Sequence, residues 1–270
     1  MTDTRTNPVR RSAYAFDNAT EEATVQMTGL SRYLDPVTTA VLSRLGTPTG
    51  GRCLELGPGG GSIAHWLADR VGDDGEVVAV DIKPVQVPPH DRLTVLRHDI
   101  RDGVPRPHNY DLIHARLVLL HLPERREVLR ALVHALKPGG WLVLGEFGGD
   151  PLRVITAATD RDRQVFTEVG RAMVASLTAA GADMDWAHDA HGAMAAEGLT
   201  DVFTKEYAES WHGGGSGALM RSANSVQLEP VAARLGLDKA DLAHYRRLMT
   251  DPSFVFMSQR FVCTAGRRRD

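Results

Sequence analysis

The residues best suited to chemistry form one glycine-rich segment, Glu55-Leu56-Gly57-Pro58-Gly59-Gly60-Gly61-Ser62. The apolar run at 53–56 predicts a short strand leading into it, and Ser62 predicts the N-cap of the helix that follows. Glycines let the backbone turn tightly and approach a ligand, because they carry no Cβ. The helix adds backbone N–H groups that have no partner inside the helix. The segment therefore predicts a ligand-binding turn at the carboxyl end of a parallel strand.

Two acidic residues end the next two predicted strands. The apolar run at 77–80 leads into Asp81, and the run at 93–96 leads into His98 and Asp99. Because the carboxyl ends of parallel strands meet at one edge, these residues converge on the glycine-rich turn. There Asp81 could accept hydrogen bonds from ribose hydroxyls, and Asp99 could reach an adenine amino group. The pattern predicts a site for an adenosine-containing cofactor.

The spacing of the glycines helps to choose the cofactor. The dinucleotide fingerprint Gly-x-Gly-x-x-Gly would need glycine at position 62, where this chain has Ser62. Glu55 stands before the first glycine and would repel a pyrophosphate, whereas it would tolerate a sulfonium and an ammonium group. The segment therefore favours S-adenosylmethionine over NAD, and Glu55 is a predicted cofactor-binding residue together with the glycines.

Histidine and carboxylate side chains near the expected crevice are candidate catalytic groups. His121 follows the fourth predicted strand and is the candidate base, with a structural role near Pro123 as the alternative. His212 beside a glycine loop is a second candidate base or a solvated loop residue. Glu146 follows the fifth predicted strand and could contact the acceptor or be a rim charge. His114, within an apolar strand, is expected to be a core histidine.

A parallel sheet would position these residues. Strand-like runs at 53–56, 77–80, 93–96, 111–114 and 141–144 alternate with helical stretches that begin at 62 and span 124–136. This alternation predicts an α/β fold, and the continuous apolar runs predict strands buried on both faces. Three prolines at 84–89 predict an irregular connection in place of a crossover helix.

The remaining segments predict further helices and two more strands. We expect helices at 21–30, 36–45, 159–180, 186–197, 219–235 and 239–249, and strands at 202–207 and 254–264. The helix at 159–180 is expected either to cover the acceptor or to form a homodimer contact.

Composition excludes several classes of protein. With 43% hydrophobic and 24% charged residues the chain is typical of a globular protein. Its net charge of -3 lacks the excess of positive charge that is typical of nucleic-acid-binding proteins. It contains no apolar run of roughly 20 residues that would span a membrane and no metal-type Cys/His spacing. Cys53 and Cys263 are expected to be buried thiols, and the polar N-terminus without a signal-peptide core indicates a cytoplasmic location.

These motifs resemble those of class I S-adenosylmethionine-dependent methyltransferases. The likeness rests on the glycine-rich segment, Asp81, His98-Asp99, residues 114–123 and 136–141. It is strongest to actinobacterial small-molecule methyltransferases of specialised metabolism, through Tyr14-Ala15-Phe16-Asp17-Asn18 and Asp251-Pro252-Ser253-Phe254. The resemblance implies a Rossmann-like seven-stranded sheet whose last strand is antiparallel, with an N-terminal helical cap and helices inserted between the late strands.

The resemblance also implies roles for individual residues. Those that would hold the methionine and ribose parts of the cofactor are Gly57, Gly59, Gly61, Asp81, Arg116 and Tyr14. Those that would frame the adenine are Ile82, Asp99 and Ile100. The expected domains are a helical cap at 1–50 and a cofactor-binding domain at 51–270, with lid insertions at about 150–195 and 213–250. The prolines at 84–89 depart from the family's helix and change the adenine side of the site.

The sequence thus predicts a methyltransferase that acts on a small-molecule acceptor, with O-methylation of a specialised metabolite favoured. The alternative is an S-adenosylmethionine-binding enzyme of the same fold that catalyses a non-methylation reaction. A non-catalytic binding protein would not need the glycine turn and Asp81, and an NAD-dependent oxidoreductase is disfavoured by Ser62 and Glu55. No metal, nucleic-acid or membrane partner is expected.

Overall fold

The computed structural model describes residues 21–84 and 87–269, with side chains of the first helix described from Met27 onward. Strands are β1 Arg52–Leu56, β2 Glu76–Asp81, β3 Leu93–Arg97, β4 Tyr110–Arg116, β5 Leu136–Phe147, β6 Val154–Thr156, β7 Thr200–Tyr207, β8 Ser210–His212, β9 Val255–Met257 and β10 Phe261–Arg267. Helices are α1 Glu21–Leu45, α2 Ser62–Ala68, α3 Arg125–Ala135, α4 Asp160–Ala179, α5 Trp186–Ala196, α6 Ser216–Val226 and α7 Lys239–Leu248. Short 3-10 turns occupy Ile100–Asp102, Leu119–His121 and Glu229–Leu235.

Seven strands form one sheet in the order β3-β2-β1-β4-β5-β10-β7. The first five are parallel, and β10 runs antiparallel to both β5 and β7. This is the predicted Rossmann-like sheet, which is confirmed together with its antiparallel last strand. From β1 the chain adds β2 and β3 toward one edge of the sheet and then returns to place β4 on the other side of β1. At this topological switch point a crevice opens beyond the carboxyl ends of β1 and β4.

Burial of the strands follows their position in the sheet. In β1, β2 and β4 nearly every residue is buried, because helices cover both faces. The strand β3 is half-exposed although its sequence is apolar, since it lies at the edge and pairs only with β2. The prediction of strands buried on both faces is therefore right for the centre of the sheet and wrong for β3.

The helix α1 corrects the prediction of two separate N-terminal helices. It runs without interruption through Pro36, where the loss of a backbone N–H favours a break. Tertiary contacts outweigh that preference: Leu34 and Val41 are buried in the same core on either side of the proline, and Asp35 pairs with Arg116 of β4. The helix stays continuous because of what it packs against rather than because of its own propensity.

Late strands also differ from their predicted bounds. The strand β5 begins at Leu136 rather than at 141, because Gly139 and Gly140 exchange backbone hydrogen bonds with Arg268, just after β10. The predicted strand at 254–264 is two strands, β9 and β10, which belong to different sheets. The predicted helix at 219–235 is likewise divided into α6 and a 3-10 turn.

Two segments between the late strands complete the fold. One lies between β5 and β7 and carries β6, α4 and α5, and the other lies between β7 and β10 and carries β8, α6, α7 and β9. They meet in a second sheet with the order β6-β9-β8. Helix α4 packs on α7 and α1 packs on α6, so these four helices lie together on one side of the main sheet, whereas α5 packs with α3 in the core on the other side.

Between β2 and β3 the described residues, 82–84 and 87–92, form no helix, in agreement with the irregular connection predicted from the prolines. No helix within the described part of the chain is both long and apolar enough to cross a membrane.

Candidate active site

The turn after β1 requires glycine for two physical reasons. Gly57, Gly59 and Gly61 have φ values of 61°, 54° and 85°, a region that side chains with a Cβ rarely adopt. A Cβ on Gly57 would also lie only 2.6 Å from Val118 Cγ2, on the loop after β4. The turn is thus pressed against the β4 loop at the switch point of the sheet.

Gly61, rather than the predicted Ser62, is the N-cap of α2. The Ser62 hydroxyl donates instead to Asp35 Oδ1 of α1, at 3.1 Å. The local N-cap preference of serine is replaced by a tertiary hydrogen bond that ties α1 to the start of α2.

Glu55 lies beneath the glycine turn rather than on its surface. It is 2% exposed, and His114 Nδ1–H of β4 donates to its Oε2 at 2.7 Å, directly across the β1–β4 pairing. His114 is fully buried, as its apolar surroundings predict, and its Nε2 has no hydrogen-bond partner among the described residues. The pair stabilises the base of the turn from inside the core.

Asp81 and Ile82 lie together at the end of β2. The Lys83 N–H donates to Asp81 Oδ1 at 2.7 Å, and burial raises the pKa of Asp81 above its usual value. Ile82 follows with a side chain that is 38% exposed. A carboxylate that accepts hydrogen bonds, next to an exposed apolar side chain, is the combination that a ribose and an adenine would use.

Asp99 and Ile100 lie at the end of β3. The Arg101 guanidinium donates to both oxygens of Asp99, with Nη2 to Oδ2 at 2.6 Å, and the Arg101 N–H donates to Oδ1 at 3.0 Å. This hydrogen bonding raises the pKa of Arg101. Ile100 is buried. Asp99 therefore caps the 3-10 turn and holds Arg101, a partner that the sequence analysis did not identify. We name the glycine turn, Asp81, Ile82, Asp99 and Ile100 the cofactor edge.

Arg116 is engaged by the N-terminal helix. Its Nη1 donates to Asp35 Oδ1 at 2.8 Å and to Thr38 Oγ1 at 3.3 Å. Arg116 therefore anchors α1 over the carboxyl end of β4, and any contact with a methionine group would be made from this position. Tyr14, the other predicted residue of this group, lies outside the described residues.

A cavity of about 640 Å³ opens beside the cofactor edge, at the carboxyl ends of β4 and β5. Its walls come from the sheet end, α1, α4, β8 and α6; the lining side chains include Leu117, Leu120, His121, Phe147, Leu30, Met173, Val174, Leu177, Trp211, Met220, Arg221 and Asn224. Most of these are apolar. We name this space the acceptor cavity.

His121 is the predicted base that the structure places in the acceptor cavity. Burial, with a smaller contribution from the Arg125 charge, lowers the pKa of His121 to about 4. The imidazole is consequently neutral near neutral pH, and a neutral imidazole can accept a proton.

The turn that carries His121 is held from two sides. Glu146 of β5 is 1% exposed, and its Oε1 accepts the N–H groups of Leu119 and Leu120 at 3.0 and 3.2 Å. Arg125 of α3 donates to the carbonyl oxygens of the same two residues and pairs with Asp183 at 3.0 Å. Burial raises the pKa of Glu146 to about 8. Glu146 is therefore a buried positioning residue beneath the cavity and not a charge on its rim.

Leu117, the residue that follows β4, has a φ of 56° although it is not glycine. Its N–H donates to Gly145 O at 2.8 Å, and its side chain lines the acceptor cavity. A leucine in the left-handed region costs about 1–2 kcal/mol, so the surrounding contacts must hold it there. This left-handed conformation redirects the chain from β4 into the 3-10 turn that carries His121.

Comparison with known proteins now decides the family. A family model described as a methyltransferase domain matches residues 30–211. The chain belongs to this family. With its sheet order, this confirms the predicted class I methyltransferase fold, the S-adenosylmethionine-dependent methyltransferase class and S-adenosylmethionine as the cofactor at the level of the family.

Curated relatives match part of this methyltransferase. Methyltransferase str2 of Strobilurus tenacellus is 33% identical over 122 residues, which are 44% of this chain and 42% of the relative. Methyltransferase str3 of the same organism is 30% identical over 52% of this chain and 50% of its own length. The ubiquinone/menaquinone biosynthesis C-methyltransferase UbiE of Yersinia enterocolitica is 30% identical over 43% of this chain and 50% of the relative. The chain spans about half the length of the curated relatives it matches.

Solved structures resemble the methyltransferase over most of its length. Phosphoethanolamine N-methyltransferase 2 of Haemonchus contortus, in complex with S-adenosyl-L-methionine, has a TM-score of 0.54 at 13% identity and covers 94% of this chain and 59% of its own. A candidate methyltransferase of Bacillus halodurans has a TM-score of 0.52 at 14% identity and covers 86% of this chain and 98% of its own. At these identities the likeness shows the fold alone.

His212 is not brought to the acceptor cavity of this methyltransferase. Its side chain is exposed on β8, and its ring Nδ1 lies 2.9 Å from the Gly213 carbonyl oxygen. Because side chains alternate along a strand, Trp211 faces the cavity while His212 faces away. Within the described residues no group of Asp, Glu, His or Cys is arranged to hold a metal ion.

Several residues of the site carried no signal in the sequence. Arg125 and Asp183 fix the His121 turn, and Asp35 and Arg221 enter from α1 and α6. Each is an ordinary charged residue within a helix or a loop. Only a buried helix face interrupted by a charge, as at Arg221 after Ala218 and Met220, could have attracted attention.

Proposed function

We propose that this chain transfers a methyl group from S-adenosylmethionine to a small-molecule acceptor, with an oxygen atom as the favoured acceptor. The observation that supports this most directly is the acceptor cavity of about 640 Å³ next to the glycine turn. That volume lies within the usual range for small-molecule sites. The β4 loop joins the two regions, because Val118 lies against Gly57 while Leu117 and Leu120 line the cavity.

The cofactor edge fits S-adenosylmethionine. The left-handed glycines leave the backbone accessible to a ligand at the switch point, where a Cβ would interfere. Asp81 offers a carboxylate oxygen to ribose hydroxyls, and the exposed Ile82 offers an apolar surface to adenine. When bound there, S-adenosylmethionine supplies a methyl group on a sulfonium, which is a good leaving group.

The residues of the chain would align the acceptor, exclude water and remove a proton. The apolar walls of α4 and α6 exclude water from the methylated atom. The neutral His121 is in the form that accepts the proton of an acceptor hydroxyl, and Glu146 and Arg125 hold its turn in place. A hydroxyl must lose its proton on methylation, and His121 lines the cavity where it could take that proton. Because its lowered pKa also makes it a weak base, it suits an acidic hydroxyl such as a phenol or a carboxyl group.

The relatives support a small acceptor but name different acceptor atoms. UbiE is a C-methyltransferase of ubiquinone and menaquinone biosynthesis, and the Haemonchus contortus enzyme is an N-methyltransferase. The preference for oxygen therefore rests on His121, and the assignment to specialised metabolism rests on the sequence motifs at 14–18 and 251–254.

The first experiment is calorimetric titration with S-adenosylmethionine and with S-adenosylhomocysteine. Micromolar binding of either supports the proposal, whereas a folded protein that binds neither would refute it. Acceptors are then screened by the release of S-adenosylhomocysteine. Conversion of an acceptor without that release would indicate a non-methylation reaction on the same fold.

A further inference from the structure

One buried cation in the acceptor cavity has only neutral neighbours. Arg221 of α6 is 7% exposed and lines the cavity. Its Nε donates to the Tyr245 hydroxyl at 2.9 Å, its Nη2 lies 3.5 Å from Met173 Sδ, and its guanidinium lies 5.7 Å from the Phe166 ring. Among the residues that the structure describes, no Asp or Glu forms an ion pair with it.

Such an arrangement is unfavourable for the empty protein. A guanidinium removed from water needs an anion or several good acceptors to offset the lost hydration. Tyr245 does not supply a negative charge, because burial raises the pKa of its hydroxyl. Two arginines on the neighbouring helices are paired with carboxylates: Arg246 of α7 contacts Glu229, and Arg161 of α4 contacts Asp241.

A second polar group lines the cavity on the same helix as Arg221. Asn224 lies one helical turn further along α6 and also lines the cavity, where its Nδ2–H group can donate to a carboxylate oxygen. Its buried Oδ1, which has no hydrogen-bond partner among the described residues, is an acceptor and would face a hydrogen-bond donor of the ligand. Gly170 of α4 lies beside Arg221, since a Cβ built on it would be in van der Waals contact with Arg221 Nη2 at 3.8 Å. A planar guanidinium beside a side-chain amide matches the geometry of a carboxylate.

We propose that Arg221, assisted by Asn224, binds a carboxylate of the acceptor, so that the substrate is an apolar organic acid. This rests on the proposed methyltransferase function. The apolar body of the acid lies along Met173, Val174 and Leu177 of α4, and the methylated atom faces His121 at the end of the sheet. The glycines of the cofactor edge do not line this cavity, so the carboxylate belongs to the acceptor and not to the methionine part of the cofactor.

The test compares an acid with its amide in protein saturated with S-adenosylhomocysteine. The probes are 4-phenylbutyrate and 4-phenylbutyramide, and calorimetry measures the affinity of each. In the wild-type protein we expect the acid to bind about ten-fold more tightly than the amide, as a charge-assisted pair allows. In Arg221→Met the ratio falls to about one. Arg171→Gln is the matched control, since Arg171 also lines the cavity but is exposed on α4.

Two further measurements distinguish a ligand-binding role of Arg221 from a structural one. Arg221→Lys, which retains the charge and the fold, should keep a reduced preference for the acid. The melting temperature of ligand-free Arg221→Met should equal or exceed that of the wild type, because an uncompensated buried charge is removed. A marked fall in Tm would show that Arg221 is structural and would overturn the proposal.

The same measurements separate this proposal from the proposed function. Equal affinity of the wild-type protein for acid and amide, or an equal loss of preference in Arg171→Gln, would refute the carboxylate site. Weaker binding of S-adenosylhomocysteine by Arg221→Met would assign Arg221 to the cofactor's own carboxylate. Failure of the wild type to bind S-adenosylhomocysteine would instead refute the methyltransferase function.

Discussion

The cofactor edge and the acceptor cavity are adjacent but are built in opposite ways. The cofactor edge consists of short runs of residues that directly follow β1, β2 and β3, and its carboxylates already accept hydrogen bonds from residues two positions further on, Lys83 and Arg101. The acceptor cavity draws its lining from elements far apart in the chain: α1, α4, α6, β8 and the end of the sheet. It contains a buried arginine whose described contacts are all neutral.

This difference shows how a common fold can keep its cofactor while its acceptor varies. A site made of consecutive residues needs only a strand and the turn that follows it to be correct. A site made of distant side chains changes whenever an inserted helix changes. Mutations at the cofactor edge should therefore affect every substrate equally, and mutations in the cavity should alter activity and selectivity with the cofactor still bound.

The largest effect is expected beneath the cofactor edge, at the buried Glu55–His114 pair. His114→Ala leaves the Glu55 carboxylate without its donor inside the core, which should lower the free energy of unfolding by about 3–5 kcal/mol. Denaturant unfolding followed by circular dichroism measures this loss. His134→Ala, at an exposed position on α3, is the control and should cost less than about 0.5 kcal/mol. Similar values for the two variants would show that the pair does not stabilise the turn.

The second prediction concerns the base in the acceptor cavity. His121→Ala should lower kcat about 100-fold, because the acceptor proton is no longer removed by a positioned group, while the affinity for S-adenosylhomocysteine stays unchanged. His212→Ala, outside the cavity, serves as the control and should retain full turnover. Unchanged turnover in His121→Ala would remove His121 from the mechanism.

The third prediction separates backbone strain from close approach at the cofactor edge. Gly57→Ala should weaken binding of S-adenosylhomocysteine about ten-fold, since its Cβ meets Val118 at 2.6 Å and displaces the turn. Gly72→Ala has a comparable φ of 73° but its Cβ would meet nothing nearer than 3.5 Å. Both variants should lose about 1 kcal/mol of stability from the left-handed conformation, and only Gly57→Ala should lose affinity. Calorimetry and denaturant unfolding are measured on the same samples, and equal affinities would contradict the prediction.

The fourth prediction is a pH dependence of stability that originates beneath the acceptor cavity. The pKa of Glu146 is raised to about 8 in the folded protein, so between the unfolded value near 4.5 and about 8 the folded state holds a proton that the unfolded state releases. Stability from this group is full below pH 4.5 and decreases as the pH rises, by at most about 1.4 kcal/mol per pH unit.

Glu146→Gln should flatten that dependence, because the amide keeps an oxygen for the Leu119 and Leu120 N–H groups and carries no charge at any pH. Denaturant unfolding at pH 6, 7 and 8 measures the slope. Glu168→Gln, at a position on the α4 surface away from this turn, should leave the wild-type slope unchanged. A Glu146→Gln slope that matches the wild type would mean that Glu146 stays ionised in the fold.

Much of the fold and of the cofactor edge could be predicted because the information lies in consecutive residues. Strand-forming runs and the glycines between β1 and α2 predict the sheet and its ligand turn without knowledge of distant contacts. The errors have one cause. Pro36 within α1, Gly61 in place of Ser62 as the N-cap, and the early start of β5 each follow from a tertiary partner that outweighs the local preference.

The sequence by itself determined the class of fold, the family and the position of the cofactor turn, because each depends on short-range pattern and backbone geometry. Only the tertiary structure decided what the charged side chains do. It turned Glu55 and Glu146 into buried supports, turned His212 outward, and brought Arg221 into the acceptor cavity. The role of a charged side chain depends on its burial and on its partners, and both are set by contacts between residues far apart in the chain.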